Sequence, residues 1–220
     1  MAMPRSSALA DQRARVVEVA ARLLEESGPE ALQARRVTAE VGTSTQAIYT
    51  LFGGMPGLFE TLVVDGFVRF AAHVGAVPET DDPVADFFAK GRAFCEWAFA
   101  HPQRYRLMFG LTGGKLRIHA GLEMTVGGTL ANFPEGQAAL EVMTHALDRV
   151  IAAGRIRPID SVLAAGQFLS ATHGYVLLQI AGAFGEWGED VPVIGPLGVN
   201  LMVGLGDARE AAERSLAATL

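Results

Sequence analysis

Residues 16–59 read VVEVAARLLEESGPEALQARRVTAEVGTSTQAIYTLFGGMPGLF, and the spacing of apolar and breaker residues in this stretch decides the fold. At about 100° per residue, Val16, Val17, Ala20, Ala21, Leu23 and Leu24 share one arc of a helix. Arg15, Glu18, Arg22, Glu25 and Glu26 fill the opposite arc. A helix over about Asp11 to Ser27 therefore has one buried and one wet face. Gly28 suits its C-terminal cap, and Pro29 cannot continue it. A second, short helix is predicted over about Ala34 to Val41, stopped by Gly42, and a third over about Thr45 to Phe52. Two short helices joined by a glycine-containing turn form a helix-turn-helix candidate.

The third helix carries the chemistry. Ala47, Ile48, Leu51 and Phe52 take one side, and Thr45, Gln46, Tyr49 and Thr50 the other. A merely solvated face usually carries Lys or Glu, and this one has neither. Its hydroxyls, amide and methyl groups match phosphate oxygens and base edges in a DNA major groove.

The 220-residue chain is 50% hydrophobic and 19% charged, enough to bury a core. Its net charge of −6 excludes a uniformly basic nucleic-acid coat but not a local basic face. The single cysteine, Cys95, rules out an intramolecular disulfide and a cysteine-based zinc site, and it suits a reducing cytoplasm. No leader resembling a signal peptide opens the sequence. From Ser161 to Gly185 no Asp, Glu, Lys or Arg occurs, a length that could span a bilayer. Gln167, Ser170, Thr172, His173 and Gln179 inside that run, and the lack of basic flanks, point instead to a buried core or a subunit interface. The pattern is helical nearly throughout, without hairpin turns, period-2 strands or repeats, so the expected class is all-α. Pro102, Pro158 and Pro192 each stand where a helix could begin.

The stretch Arg15 to Phe59 resembles the N-terminal domain of TetR-family transcriptional regulators. The matching positions are Gly28, Leu32, Val37-Thr38, Gly42-Thr43-Ser44, Ile48-Tyr49, Phe52 and Leu58. Many members carry a phosphate-contacting lysine after the Phe, in a Ser-Lys-Glu stretch, where this chain has Gly54-Met55-Pro56. Gln33 replaces the usual Ser or Thr that opens the second helix. Residues 1–60 hold six Arg against seven Asp or Glu, so the favourable charges are local: Arg5, Arg13 and Arg15, and Arg35 and Arg36. The resemblance implies a helix-turn-helix DNA-binding domain over residues 1–55 and a helical ligand-binding and dimerisation domain over 56–220. The expected DNA-binding set is Arg35, Arg36, Ser44, Thr45, Gln46, Tyr49 and Thr50. His173-Gly174, with Thr172 in the Trp position, is also similar to a Trp-His-Gly motif of one subgroup.

In the larger domain, seven of the seventeen aromatics lie between Phe87 and Phe109. They read either as core or as the lining of a pocket, since ligand sites are mostly apolar with a few placed polar groups. The candidate ligand-binding residues are Trp97, Tyr105, Met108, Phe109, His173 and Gln179. The last two helices, about Pro158 to Phe184 and Pro192 to Leu220, are expected to form a homodimer interface as a four-helix bundle. Charge from Asp207 to Arg214 suits a helix emerging into water.

Catalytic motifs fail. Gly113-Gly114-Lys115 hints at a phosphate loop, but Phe109 replaces its first Gly and Leu116 its Ser or Thr. The five histidines are scattered, and Cys95 reads as a core thiol. No enzyme, cofactor or metal is expected. The expectation is a cytoplasmic, ligand-responsive DNA-binding regulator, a repressor, acting as a homodimer on a near-palindromic double-stranded operator and answering to a small apolar effector, with no membrane partner. The alternative is a helical small-molecule-binding protein without operator binding.

Overall fold

The structure is a computed structural model that describes residues 5–109, 134–184 and 193–219. Among these residues the chain forms ten α-helices and no strand. They are α1 (Arg5–Ser27), α2 (Ala34–Val41), α3 (Thr45–Phe52), α4 (Met55–Gly75), α5 (Pro83–Ala100), α6 (Pro102–Met108), α7 (Pro134–Ala152), α8 (Ser161–Ile180), α9 (Ile194–Leu205) and α10 (Arg209–Ala217). The all-α class is as expected. Gly113-Gly114-Lys115 and Pro192 lie outside the described residues. By packing, the chain falls into two units, residues 1–68 with 101–136 and residues 69–100 with 137–220. Helix α4 supplies residues to both.

In the first unit, α1 buries Val16, Ala20, Ala21, Leu23 and Leu24 of the arc the periodicity picks out, with Val17 of that arc half-buried, and starts at Arg5 rather than near Asp11. Val37 from α2, Ile48 from α3, and Leu58 and Leu62 from α4 are fully buried. Each short helix ends on a left-handed glycine, Gly42 at φ 75° and Gly53 at φ 73°, a conformation that glycine adopts without steric cost. Helix α6 also belongs here. The Glu25 carboxylate of α1 accepts hydrogen bonds from the backbone N–H groups of Gln103 (3.1 Å) and Arg104 (3.0 Å). It thereby satisfies amides that the first turn of α6 leaves without helical partners. Arg104 then pairs with Asp65 of α4 at 3.3 Å. Glu25 is thus a cap for a distant helix and not simply part of a wet face.

In the second unit, α5, α7, α8, α9 and α10 bury one apolar cluster, with Phe87, Phe88, Leu147, Val150, Phe168, Val199 and Met202 among its members. A polar network pins its edge. Arg155 donates from Nε to Asp207 Oδ1 at 2.9 Å and from Nη2 to Oδ2 at 2.8 Å, and its Nη1 lies 3.3 Å from Asp82 Oδ1. Arg149 holds Asp86 at 2.6 Å, and Thr80 donates to the same carboxylate. Asp207 is therefore 7% exposed and ion-paired rather than solvated, whereas Arg209, Glu210, Glu213 and Arg214 of α10 are exposed, as expected of a helix that meets water. The C-terminal segment read as one helix is two, because Gly206 at φ 116° breaks it. Pro158 does not open α8. That helix starts after Asp160, whose side chain accepts from Val162 N at 2.8 Å and Leu163 N at 3.2 Å. It ends at Ile180, before Phe184.

Among the described residues no single helix is long and apolar enough to cross a membrane. The bent pair α3–α4 passes on length and composition alone, and its Ile48, Leu58, Leu62 and Phe67 are buried in the protein.

Candidate functional site

Helices α2 and α3 follow one another through Gly42-Thr43-Ser44, and the amide of Gly42 bonds back to the carbonyls of Thr38 and Ala39. Thr43 N–H closes the same turn on Thr38 O at 2.9 Å. The buried Thr38 hydroxyl donates to Ala34 O at 2.8 Å, which leaves no unmet donor beneath the turn. Ile48 anchors α3 from below at full burial, so the opposite side of the helix must face outward.

All seven residues expected to meet DNA are exposed: Arg35, Arg36, Ser44, Thr45, Gln46, Tyr49 and Thr50. Tyr49 is 63% exposed, unusual for so large a ring without a partner to cover it. Ser44 stands at the N-cap of α3 but makes no capping hydrogen bond from its side chain. Thr50 donates its hydroxyl to Gln46 O at 3.0 Å, and Arg36 reaches Ser27 Oγ at 3.2 Å. The face joins hydroxyls, one amide and one phenol at a helix N-terminus, with two guanidinium groups on the preceding helix. That is a donor set for phosphates and base edges. Two other arginines of this unit are engaged within it. Arg22 pairs with Glu26 and Glu40, and Arg13 lies over the Phe52 ring.

Gly57 fixes how α4 leaves α3. A Cβ there would sit 1.8 Å from the Phe52 carbonyl oxygen, so only glycine permits this approach. Nothing in the periodicity of the sequence signals that contact.

The residues proposed for ligand binding divide between the units. In the first, Tyr105 is fully buried, with its ring 4.8 Å from that of Phe109. Phe109 in turn meets Phe67 edge-on at 5.7 Å, and Met108 is buried close against Gly66. In the second, Trp97 is buried edge-on to Phe70 at 5.3 Å. His173 is half-buried, and that burial pushes its imidazole pKa below the ordinary value and favours the neutral form. The Gln179 side-chain oxygen is buried without a hydrogen-bond partner among the described residues. Its neighbour one turn back, Tyr175, packs edge-on with Phe99 at 6.1 Å. Burial and the charge of Glu96 push the Cys95 thiol up to about 12, which makes it an inert core group. Among the described residues no cluster of three His, Cys, Asp or Glu is placed to hold a metal.

Comparison with known proteins agrees with this geometry. Residues 16–62 match the family described as bacterial regulatory proteins, tetR family, and residues 87–194 match the tetracyclin repressor-like C-terminal domain. An uncharacterized HTH-type transcriptional regulator of Mycobacterium tuberculosis is 25% identical over 181 residues, covering 81% of this chain and 74% of the relative. A solved protein of unknown function from a Rhodococcus species superposes with TM-score 0.72 at 23% identity, over 89% of this chain and 96% of that one. RolR in complex with its ligand resorcinol superposes with TM-score 0.62 at 15% identity, over 97% of this chain and 96% of that one. With both halves matched and an exposed helix-turn-helix on the first, the chain belongs to the TetR family of transcriptional regulators.

Proposed function

We propose that this regulator is a ligand-responsive repressor that binds a near-palindromic operator as a homodimer in the cytoplasm. Residues 1–55 read the DNA, and residues 56–220 hold the effector and the dimer contacts. The carrying observation is the exposed, uncharged face of α3 beside Arg35 and Arg36. Thr45 and Gln46 at the start of the helix reach base edges, while Tyr49, Thr50, Ser44 and the two arginines fix phosphates. A two-fold dimer then needs half-site centres about 34–36 Å apart or a multiple of that.

The dimer reading is supported by α8, which carries no Asp, Glu, Lys or Arg and leaves Val162 (55%), Leu163 (59%) and Leu178 (48%) exposed. The effector is a small apolar molecule bound by members of the set Trp97, Tyr105, Met108, Phe109, His173 and Gln179. The orphan Gln179 oxygen favours one that also carries a hydroxyl, and resorcinol in RolR is a compound of that kind. An effector switches the protein only through unequal affinity for two arrangements, and coupling of about 1–3 kcal/mol changes operator affinity roughly 5- to 150-fold.

The test is a gel shift on the DNA upstream of the protein's own gene, with a panel of phenolic and apolar compounds followed in parallel by Trp fluorescence. Gln46→Ala is expected to cost about 1–3 kcal/mol on the best site and to relax one base position. Unchanged affinity in Gln46→Ala and Tyr49→Phe together would remove α3 as the reader. A second reading, a small-molecule-binding protein without operator binding, draws on the net acidic charge of residues 1–60 and the missing lysine at Gly54-Met55-Pro56. Effector binding with no shift of any DNA would favour it.

A further inference from the structure

Two neighbouring residues of α1 hold opposite ends of α3. Gln12 Nε2 donates to Thr43 Oγ1 at 2.8 Å, on the turn that leads into the helix. The Arg13 guanidinium lies 5.1 Å from the centroid of Phe52, the last residue of α3. Its Nη2 donates to Thr61 Oγ1 of α4 at 3.2 Å, and the Thr61 hydroxyl donates onward to Gly57 O at 2.8 Å. Gly57 is the residue whose backbone approaches the Phe52 carbonyl. Arg13, Thr61, Gly57 and Phe52 therefore form a closed loop of contacts around the end of α3. Consecutive residues on a helix point about 100° apart, and eight residues of helix span only about 12 Å, so two adjacent long side chains can reach both ends.

We propose that Gln12 and Arg13 are positioning residues for DNA recognition. Gln12 sets where α3 begins and Arg13 where it ends, so that Thr45, Gln46, Tyr49 and Thr50 are presented in one orientation. The inference rests on α3 being the reader. It reassigns Arg13, whose charge the sequence suggested for a phosphate, to a contact within the protein. The two roles differ in one measurable respect. A cation that neutralises a phosphate contributes about 0.9 to the log–log salt slope and acts on every DNA sequence alike. A positioning residue changes discrimination between sequences and leaves the slope alone.

The experiment uses the full-length protein, a duplex that it enriches from a random-sequence pool, and a shuffled duplex of equal composition. Arg13→Gln, Gln12→Ala and Thr43→Val are each expected to lower the enriched-to-shuffled affinity ratio about fivefold, the worth of one modest contact. Binding to the shuffled duplex and the salt slope stay unchanged, and Thr43→Ser, which keeps the hydroxyl, retains the native ratio. Arg13 is exposed and Gln12 and Thr43 are partly so, and thermal melting of each variant separates a folding defect from a change in discrimination. A slope lower by about 0.9 with equal losses on both duplexes in Arg13→Gln makes Arg13 a phosphate contact and overturns its part. Native ratios in Gln12→Ala and Thr43→Val overturn the part of Gln12. If the pool yields no enriched duplex at all, the reading of α3 fails and takes this inference with it. Enrichment with unchanged ratios defeats the positioning roles alone.

Discussion

Replacing Gly57 with alanine tests the junction between α3 and α4 directly. The new methyl carbon would lie 1.8 Å from the Phe52 carbonyl oxygen and 3.0 Å from its carbonyl carbon. An undistorted carbon–oxygen contact needs about 3.3 Å, so the two segments must part by about 1.5 Å. The obstacle is backbone and cannot rotate aside. Alanine is favoured over glycine inside a helix by about 0.5–1 kcal/mol, and overpacking costs about 1–3 kcal/mol or more when backbone must move. With the backbone obstacle at the upper end of that range, the net expectation is a loss of about 2 kcal/mol, or about 4–8 °C in melting temperature for a chain of this size. Gly91→Ala in α5 is the control, because a Cβ there meets nothing within 4 Å. It should raise stability by about 0.5–1 kcal/mol through helix propensity. Melting is followed by far-ultraviolet circular dichroism, which reports the loss of helix. Because Phe52 ends α3, Gly57→Ala should also weaken operator binding beyond what its lower stability explains. A Gly57→Ala protein melting at or above the wild type, with Gly91→Ala behaving as expected, would refute the reasoning.

Three other outcomes follow from buried charge, exposed apolar surface and the buried thiol. Burial alone would raise the carboxyl pKa values of Asp82 and Asp86. Hydrogen bonds from Ser215, Ala85 and Val84 to Asp82 and from Thr80 to Asp86, with Arg155 and Arg149 beside them, outweigh it and hold both below the usual value. The unfolded chain then takes up these protons more readily, so their stabilisation is present above about pH 4 and drains as pH falls through the folded values. Asp86→Asn should flatten that part of a urea-derived stability profile between about pH 5 and 2, and an unchanged slope would count against the network. Leu163→Glu and Leu178→Glu should yield monomers by light scattering, since each places a charge on the exposed apolar face of α8. Val176→Glu is a poor probe of the dimer because Val176 is already fully buried within the chain. Cys95 should resist a thiol-specific reagent at about pH 8 until denaturant is added, as expected of a thiol raised to about 12, and prompt native labelling would contradict its burial.

The parts of the fold that local sequence determines were legible. The apolar arc of α1 needs only the 3.6-residue period, and the ends of α2 and α3 need only a glycine at the left-handed position. The polar face of α3 was legible for the same reason, because burying Ile48 leaves Thr45, Gln46, Tyr49 and Thr50 outside. Residues whose partners lie far along the chain were not. Glu25 looked like surface charge because Gln103 and Arg104, whose amides it caps, come 78 and 79 residues later. Asp207 looked solvated because Arg155 is 52 residues away. Lys90 is buried for the same kind of reason, its ammonium donating to Val77 O at 3.1 Å. Gly206 follows Gly195, Gly198 and Gly204 in an otherwise helical pattern, where each glycine signals a break only weakly. Trp97 and Tyr105 illustrate a different limit. Their burial suits a core and a ligand lining equally, so composition could nominate them without choosing.

The distribution of charge decides what kind of DNA reader this head must be. Affinity drawn from phosphates scales with the number of them that protein cations neutralise, each releasing a condensed counterion and contributing about 0.9 to the salt slope. This head has few to offer. Arg22 is tied to Glu26 and Glu40 and Arg13 to Phe52 and Thr61, so the exposed guanidinium groups left to meet phosphates are chiefly those of Arg15, Arg35 and Arg36. Non-specific attraction is therefore weak, and discrimination must come from hydroxyl and amide contacts that are strongly directional. Such contacts weaken steeply as geometry departs from linear, unlike the attraction of an ammonium for a phosphate. A head of this kind depends on the placement of α3 more than a basic head does. The glycine at residue 57, the paired grip of Gln12 and Arg13, and the full burial of Ile48 all act on that placement. Strengthening the head by adding lysines on α2 would raise binding to all DNA alike and lower the ratio of specific to non-specific affinity, because the added term carries no sequence information.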